Sequence, residues 1–165
     1  MAAKIWLISD THFGHENIIR YCNRPFKSST EMDLEMIQRW NDRVKPQDHV
    51  WHLGDFCFGQ DNLHRVARQL NGHKRLILGN HDDQAPIKDY AQYFEKIRVW
   101  RLFKPSIVLT HIPIHQDNFG KALWNGHGHI HDNKSPQGNY VNLCVEVNNY
   151  APVELEAVLA RLSTA

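Results

Sequence analysis

The chain has 165 residues, 42% of them hydrophobic and 22% charged, which is typical of a globular protein with one sizeable core. A formal net charge of +1 without a dense Lys/Arg run gives no electrostatic case for a long nucleic acid as partner. No segment approaches a membrane span and residues 1–5 do not form a signal peptide, so we expect a single cytoplasmic domain over residues 1–165.

Two residue types add to this. The three cysteines, Cys22, Cys57 and Cys144, lack a Cys-x-x-Cys pair and are expected to be reduced core thiols. Histidine is unusually frequent, with 12 residues spread along the chain and clustered after predicted strands.

Strands alternate with helices in the first half of the predicted chain. The strands are Lys4 to Ser9, a second beginning at Asp48, and Lys74 to Leu78. The first predicted helix is short and lies around Ile18 to Tyr21. The second begins with a capping box of Thr30 with Asp33 and ends before Pro46. The third is capped by Asp61 or Asn62 and has Gly72 at C′.

The second half is richer in strands. A short helix is predicted at Pro86 to Phe94, strands at Ile97 to Phe103, Ser106 to Thr110, Ala122 to Asn125 and Tyr140 to Val147, a loop at Gln116 to Lys121, and a last helix with Pro152 at N1. Trp40, Trp51, Trp100 and Trp124 are interpreted as core residues. The order of elements predicts an α/β sandwich with mixed sheets.

Five apolar segments along the chain each end in Asp, Asn or His. The residues that follow them are Asp10 and His12, Asp55, Asn80 with His81 and Asp82, His111, and the run from His127 through His129 to His131. Open α/β folds place their ligands at the carboxyl ends of strands, so we expect these side chains to meet.

This inventory predicts a pair of divalent ions held about 3.5–4 Å apart, with one carboxylate able to bridge them. Mixed imidazole, carboxylate and amide ligation favours Mn, with Fe, Ni, Co or Zn as alternatives. Two such ions lower the pKa of a shared water and neutralise charge on a phosphoryl group. His81 is placed to donate a proton or to stabilise an oxyanion, and Asp82 is predicted to orient it.

Taken in order, Asp10-x-His12, Gly54-Asp55, Gly79-Asn80-His81-Asp82, His111 and Gly128-His129-Ile130-His131 resemble the motifs of the calcineurin-like metallophosphoesterases. The opening run from Asp10 to His15 further resembles small bacterial and phage-encoded members of that superfamily. The resemblance implies a four-layered αββα sandwich with two mixed β-sheets and a dinuclear site at its strand ends.

The same resemblance implies a role for each matching position. Asp10, His12 and His131 would bind the first metal; Asn80, His111 and His129 the second; Asp55 would bridge, and His81 would be the catalytic histidine. Spacing alone does not decide which two histidines form the last motif, because Gly126-His127-Gly128-His129 also has the pattern Gly-His-x-His. The family pattern favours His129 and His131 as the ligands.

Substrate contacts are less constrained by the sequence. His15, His115 and His127 lie near the predicted ligands in the sequence. For each of them, the sequence does not decide whether the side chain contacts the substrate. Asn17, Arg20 and Arg24 follow the first ligand pair and are candidates to hold a substrate phosphate, with a solvated surface as the alternative.

The predicted function is a metal-dependent phosphoesterase that uses direct attack by a metal-bridging hydroxide. Small nucleotide or cyclic-nucleotide diesters are the favoured substrates, because the near-neutral sequence does not predict a basic surface for a long nucleic acid. A phosphomonoesterase acting on nucleotides or phosphoproteins, a non-catalytic scaffold of the same fold, and a nuclease with a basic groove are the alternatives. The sequence leaves the natural substrate, the metal pair and the oligomeric state open.

Overall fold

The computed structural model describes residues 2–104 and 106–163; Met1, Pro105 and residues 164–165 of the predicted domain lie outside that range. The strands are β1 Ile5–Ile8, β2 His49–His52, β3 His73–Ile77, β4 Lys96–Arg98, β5 Trp100–Phe103, β6 Ile107–Thr110, β7 Trp124–His127, β8 Tyr140–Asn142 and β9 Val153–Glu154. The α-helices are α1 Glu16–Tyr21, α2 Ser29–Arg43, α3 Gln60–Ala67, α4 Ile87–Tyr90 and α5 Leu155–Leu162, and 3-10 helices occupy Gln116–Asn118 and Val145–Val147. Within the described ranges no helix is long and apolar enough to span a membrane.

The strands form two sheets, and both are mixed as predicted. In the first, ordered β4-β3-β2-β1-β9, the four strands β1 to β4 run parallel and β9 is antiparallel to β1. In the second, ordered β5-β6-β7-β8, β5 is antiparallel to β6 and the remaining pairs are parallel. The parallel strands therefore bring their carboxyl ends to a common edge of each sheet.

Alternation along β1 separates two cores. Leu7 faces the second sheet and lies in one buried cluster with Ile107 and Leu109, and α5 adds Leu155 to the same cluster. Trp6 and Ile8, on the opposite face of β1, belong to a cluster with buried residues of α2 and α3. The helix–sheet–sheet order confirms the predicted sandwich.

The outer face of the second sheet is covered differently. Val108 packs there against Phe119 and Ala122, which belong to the loop around the 3-10 helix Gln116–Asn118. On this side the fourth layer is a short turn with its flanking loop, and the exposed residues of the sheet lie on the edge strand β5.

Several helix boundaries differ from the prediction. The cap of α2 is Ser28, two residues before Thr30; its hydroxyl accepts a hydrogen bond from Glu31 N at 3.2 Å, and the Glu31 carboxylate accepts one from Lys27 N at 2.8 Å. Helix α3 begins after Gly59, and it ends at Ala67, well short of Gly72. At α2 two neighbouring hydroxyl residues, Ser28 and Thr30, could each serve as the cap, whereas α3 begins after a glycine with φ +84° and has no side-chain cap.

The strand predictions of the second half also need correction. The single strand predicted from Ile97 to Phe103 is two strands in different sheets, because Val99 carries the chain from β4 to β5. The predicted strand from Tyr140 to Val147 stops at Asn142 and continues as a 3-10 helix. Pro152 precedes β9 and does not open the last helix.

The predicted core thiols and tryptophans are mostly confirmed. All three cysteines are free; Cys57 and Cys144 are buried and Cys22 is half-buried. Trp40 and Trp51 are buried, but Trp100 is 55% exposed, because β5 is an edge strand. The interpretation of Trp100 as a core residue is therefore wrong.

Candidate metal centre

The loops that carry the predicted ligands all start at strand ends on the same edge of the sandwich. Asp10 and Asp55 follow β1 and β2, and Asp10 N donates to Gly54 O at 3.0 Å. His111 follows β6 in the other sheet, and Gly128 N donates to its carbonyl at 2.7 Å. A bridge between Ser9 and Cys144 joins the two sheets at this edge.

An unusual backbone conformation marks these loops. A left-handed φ occurs at Asp10 (58°), His12 (49°), Asp55 (56°), His129 (72°) and His131 (52°). Such values cost about 1–2 kcal/mol for residues other than glycine and gather at functional sites. The turns direct these side chains away from the strand direction and towards one another.

The first group of potential ligands is Asp10, His12 and His131, whose donor atoms lie within 4.8 Å of one another. Asp10 Oδ2 accepts a hydrogen bond from His129 N at 2.9 Å, whereas Asp10 Oδ1 and His12 Nε2 are buried without a hydrogen-bond partner among the described residues. Burial holds the pKa of His12 well below its usual range, which favours the neutral form that can ligate a metal ion. An anionic oxygen and a bare imidazole nitrogen, both without a partner, fit a cation.

The second group is Asp55, His111 and His129, with donor atoms again within 4.8 Å. His111 Nδ1 donates to Leu53 O at 2.8 Å, so Nε2 is the ring nitrogen that remains for a ligand. That nitrogen faces Asn80 Oδ1 at 2.9 Å and Asp55 Oδ2 at 3.5 Å. An imidazole nitrogen, an amide oxygen and a carboxylate oxygen that converge in this way are a set of donor atoms that fits a cation held among them.

Asp55 lies between the two groups. Its Oδ2 is 3.5 Å from His12 Nε2 and 3.5 Å from His111 Nε2, while its Oδ1 accepts from His81 N at 2.8 Å. Burial raises the pKa of the Asp55 carboxyl to about 6. One oxygen is thus fixed by the backbone, and the other faces both groups.

Glu146 is a site residue that sequence reasoning missed. Its Oε1 accepts from His131 Nδ1 at 2.9 Å and from Arg24 Nε at 2.9 Å. Burial lowers the pKa of His131, but hydrogen bonds with Cys22 and Glu146 raise it to about 10. Glu146 lies in a 3-10 helix outside any recognisable motif, so nothing in the local sequence marks it.

Arg24 is not available to a substrate, and its prediction as a phosphate contact is wrong. Its side chain is fully buried and paired with Glu146. It also donates to the carbonyl groups of Asp10 at 2.8 Å and Thr11 at 2.9 Å. Arg24 therefore holds the first ligand loop from behind.

Asp82 has a different partner from the one predicted. Its carboxylate accepts from the backbone N–H of Asp55 and Phe56 at 2.9 Å each and of Gly79 at 2.8 Å. The prediction that it orients His81 is wrong, because these bonds fix two neighbouring loops instead. Burial raises the pKa of Asp82, and the same N–H groups oppose that shift.

His81 lies at the mouth of the first group. Its ring is exposed, with its centroid 5.5 Å from that of His12, and its backbone N–H is held by Asp55. This position suits the predicted role towards a leaving oxygen.

His15 also lies close to the first group. Its ring centroid is 5.7 Å from that of His12, and it stacks on Phe58 at 4.6 Å. Phe58 is 44% exposed, and sequence reasoning missed it because nothing in the local pattern distinguishes it from the buried Phe56 two residues earlier.

The other predicted substrate contacts do not reach the ligand groups. His127 is buried, with Nδ1 2.9 Å from Gly128 O and Nε2 3.0 Å from Ser135 Oγ, so its predicted substrate contact is wrong. His115 is exposed beside Asp117 at 3.4 Å. Asn17 accepts from Arg20 Nη2 at 3.1 Å on the exposed face of α1. These two residues pair with each other and contact no predicted ligand in the described part of the chain.

Glycine is required at two positions of the site. Gly54 has φ +102°, and a Cβ there would lie 2.6 Å from Gly79 N and 2.7 Å from His111 Nδ1. A Cβ on Gly128 would collide with the Asp10 carboxylate and the Ser9 hydroxyl. Close approach of the loops therefore excludes a side chain at either point.

Comparisons with solved structures agree with this fold. The chain superposes on a protein of unknown function from Aquifex aeolicus with a TM-score of 0.75 and 28% identity, covering 95% of this chain and 98% of that one. It also resembles a nuclease from Pseudomonas putida, with a TM-score of 0.54, 20% identity, and coverage of 77% and 61%. At that identity the second likeness concerns the fold alone.

Sequence comparisons extend the likeness. An uncharacterized protein of Methanocaldococcus jannaschii is 38% identical over 167 residues, covering 94% of this chain and 89% of that protein. The gene 66 protein of Mycobacterium phage D29 is 34% identical over 105 residues, which cover 61% of this chain and 49% of that protein. The model of the calcineurin-like phosphoesterase superfamily domain matches residues 3–145. The chain belongs to the calcineurin-like phosphoesterase superfamily.

Proposed function

We propose that this protein is a metal-dependent phosphodiesterase that hydrolyses small nucleotide or cyclic-nucleotide diesters, acting in the cytoplasm as one catalytic domain. One observation carries the proposal: Asp55 Oδ2 faces His12 Nε2 and His111 Nε2 at the same distance of 3.5 Å. A carboxylate shared between two sets of N and O donors is what a dinuclear site needs.

In this proposal two divalent ions, with Mn²⁺ favoured, occupy the two groups. Asp10, His12 and His131 would hold the first, Asn80, His111 and His129 would hold the second, and Asp55 would contact both. When bound, the ions supply Lewis acidity that activates a water and neutralises phosphate charge.

The remaining steps belong to the side chains. His81, exposed beside His12, donates a proton to the leaving oxygen or stabilises its charge. Glu146 holds the ring of His131, and Asp82 holds the loops of Asp55 and Gly79 in place.

The position of Arg24 supports the preference for a diester. A monoester dianion carries one more negative charge than a diester, and a side-chain cation near the ions would favour it. Arg24 is engaged by Glu146 and by two backbone carbonyl groups, so it does not supply that charge. A phosphomonoesterase remains the alternative enzyme, and a scaffold without turnover is disfavoured because every predicted ligand is present.

The test is the turnover of bis-p-nitrophenyl phosphate against p-nitrophenyl phosphate, with Mn²⁺ and after chelation. Metal-dependent cleavage of the diester with little cleavage of the monoester is the expected result. Preference for the monoester would replace the proposal with a phosphatase. No turnover of either substrate by the metal-loaded protein would favour the scaffold.

A further inference from the structure

A pocket of about 530 Å³ opens beside the candidate metal centre, on the outer side of the second sheet. Its wall includes Asn80 and His111, which are predicted ligands of the second ion. The pocket is therefore continuous with the proposed site of phosphate binding, and its volume lies in the range of about 300–1,000 Å³ that small-molecule sites occupy.

The rest of the wall is mainly apolar. Leu102 and Val108 come from β5 and β6, and Ile114 and Phe119 come from the loop that covers this sheet. At the rim, Trp100 is 55% and Ile112 51% exposed, which is unusual for large apolar side chains that are so close together.

Few polar groups of the wall are free to bind a ligand. Thr110 Oγ1 donates to Ile112 O at 2.6 Å and accepts from Asn125 Nδ2 at 2.9 Å, so its hydroxyl is satisfied. The side chains of Asn118 and Lys121 line the pocket and have no hydrogen-bond or ion-pair partner in the described part of the chain. The pocket therefore offers apolar contact with at most a few polar contacts.

We propose that this pocket binds a flat apolar or aromatic ring carried by the phosphate ester, while the phosphate lies at the candidate metal centre. This inference rests on the proposed function and narrows its substrate class to esters with such a ring, a nucleobase being one form. The pocket is concave, and its inner wall includes Asn80 and His111. A small ring attached to a phosphate ester is therefore a better occupant than the flat surface of another protein.

The experiment measures binding without turnover. The affinities of 1-naphthylmethylphosphonate and methylphosphonate, which are not hydrolysed, are determined by isothermal titration calorimetry of the full chain in EDTA and with Mn²⁺. The expected result is about tenfold tighter binding of the naphthyl ligand under both conditions, since only that ligand buries apolar surface. Equal affinities would overturn the proposal.

Two variants locate the effect. Trp100→Ala and Ile112→Ala are each expected to weaken binding of the naphthyl ligand severalfold and to leave methylphosphonate unchanged; both residues are exposed, so loss of folding is not expected. Leu34→Ala, at a 60% exposed position on α2, is the matched control and should change neither affinity. Naphthyl binding that neither pocket variant alters would overturn the assignment of the ring to this pocket.

The outcomes separate this inference from the proposed function. A naphthyl preference in EDTA without any diester turnover would retain the pocket and remove the phosphodiesterase. Diester turnover without a naphthyl preference would retain the enzyme and remove the pocket. A third outcome is a concentration-dependent dimer that Trp100→Ala abolishes, with no preference for the naphthyl ligand. It would show that Trp100 and Ile112 contact a second copy of the chain, and it would overturn the proposal.

Discussion

Glu146 Oε1 accepts a hydrogen bond from Nδ1 of His131 at 2.9 Å and so fixes which nitrogen of that ring faces Asp10 and His12. Burial would raise the pKa of Glu146, but the bond from His131 and the charge of Arg24 lower it below its usual range. Glu146 is thus a carboxylate that both orients a predicted ligand and balances a buried guanidinium.

Glu146→Gln should weaken binding of the first ion, because the amide holds the His131 ring less firmly. Loss of such a partner reduces metal affinity by about 10–100-fold. The variant should also unfold more readily, since Arg24 keeps a buried charge without its counterion. Competition with a chelator and urea denaturation measure the two effects. The control is Glu35→Gln, in the more exposed pair with Arg39, which should change neither metal affinity nor stability. Unchanged metal affinity in Glu146→Gln would contradict the role of Glu146 in orienting His131.

Asp82→Asn should destabilise the protein by about 3 kcal/mol, because charge-assisted hydrogen bonds to backbone N–H groups are lost and an amide NH₂ would face those donors. The free energy of unfolding from urea titration is the measurement. The neighbouring Asp83→Asn, at an exposed position, should change it by less than about 0.5 kcal/mol. Equal stability of the two variants would show that Asp82 does not tie the loops together.

His81→Ala should lower kcat for the diester by about 10²–10⁴-fold, which is the usual contribution of a general acid. Stability and metal content should change little, because the ring of His81 is exposed and the hydrogen bond to Asp55 comes from its backbone N–H, which alanine keeps. The exposed His115→Ala provides a matched control with wild-type activity. Full activity of His81→Ala would remove the proposed role.

The stability of the first sheet should depend on pH through Asp48. Burial would raise the pKa of this carboxyl, but the N–H groups of Lys4 and Lys45 and the Trp6 indole lower it below its usual value. Since the folded pKa is the lower one, the stabilisation is present above the unfolded value of about 3.9 and is lost as the pH falls through the folded pKa.

Asp48→Asn should therefore reduce the free energy of unfolding by about 2 kcal/mol at pH 7, with a smaller difference from wild type below about pH 4. Urea titrations at several pH values measure this difference. The exposed Asp42→Asn should show little change at any pH. A deficit in Asp48→Asn that stays constant down to pH 3 would contradict the assignment to ionised Asp48.

The sequence predicted which residues follow the strand ends. Asp10, Asp55, Asn80 and His111 each follow an apolar run, and parallel strands place such residues at a common edge. The structure brings the donor atoms of Asp55 and His111 together, with Asn80 beside His111, and it places His127 against Gly128 and Ser135.

The failures share a physical cause. The direction of a side chain after a left-handed turn depends on its neighbours, so the inward orientation of Arg24 could not be inferred from its place in a polar loop. Glu146 acts on His131 from a distant segment and belongs to no periodic pattern. The change of sheet at Val99 likewise depends on packing between sheets, which local propensity does not encode.

The number of metal ions bound per chain tests the central claim most directly. Equilibrium dialysis against Mn²⁺, followed by metal analysis, should give two ions per chain for the wild-type protein and fewer for Asp55→Asn, because one carboxylate is proposed to serve both ions. Asp61→Asn, a substitution near the start of α3, should still bind two. One ion or none in the saturated wild-type protein, or two ions in Asp55→Asn with unchanged affinity, would contradict a dinuclear centre that shares Asp55.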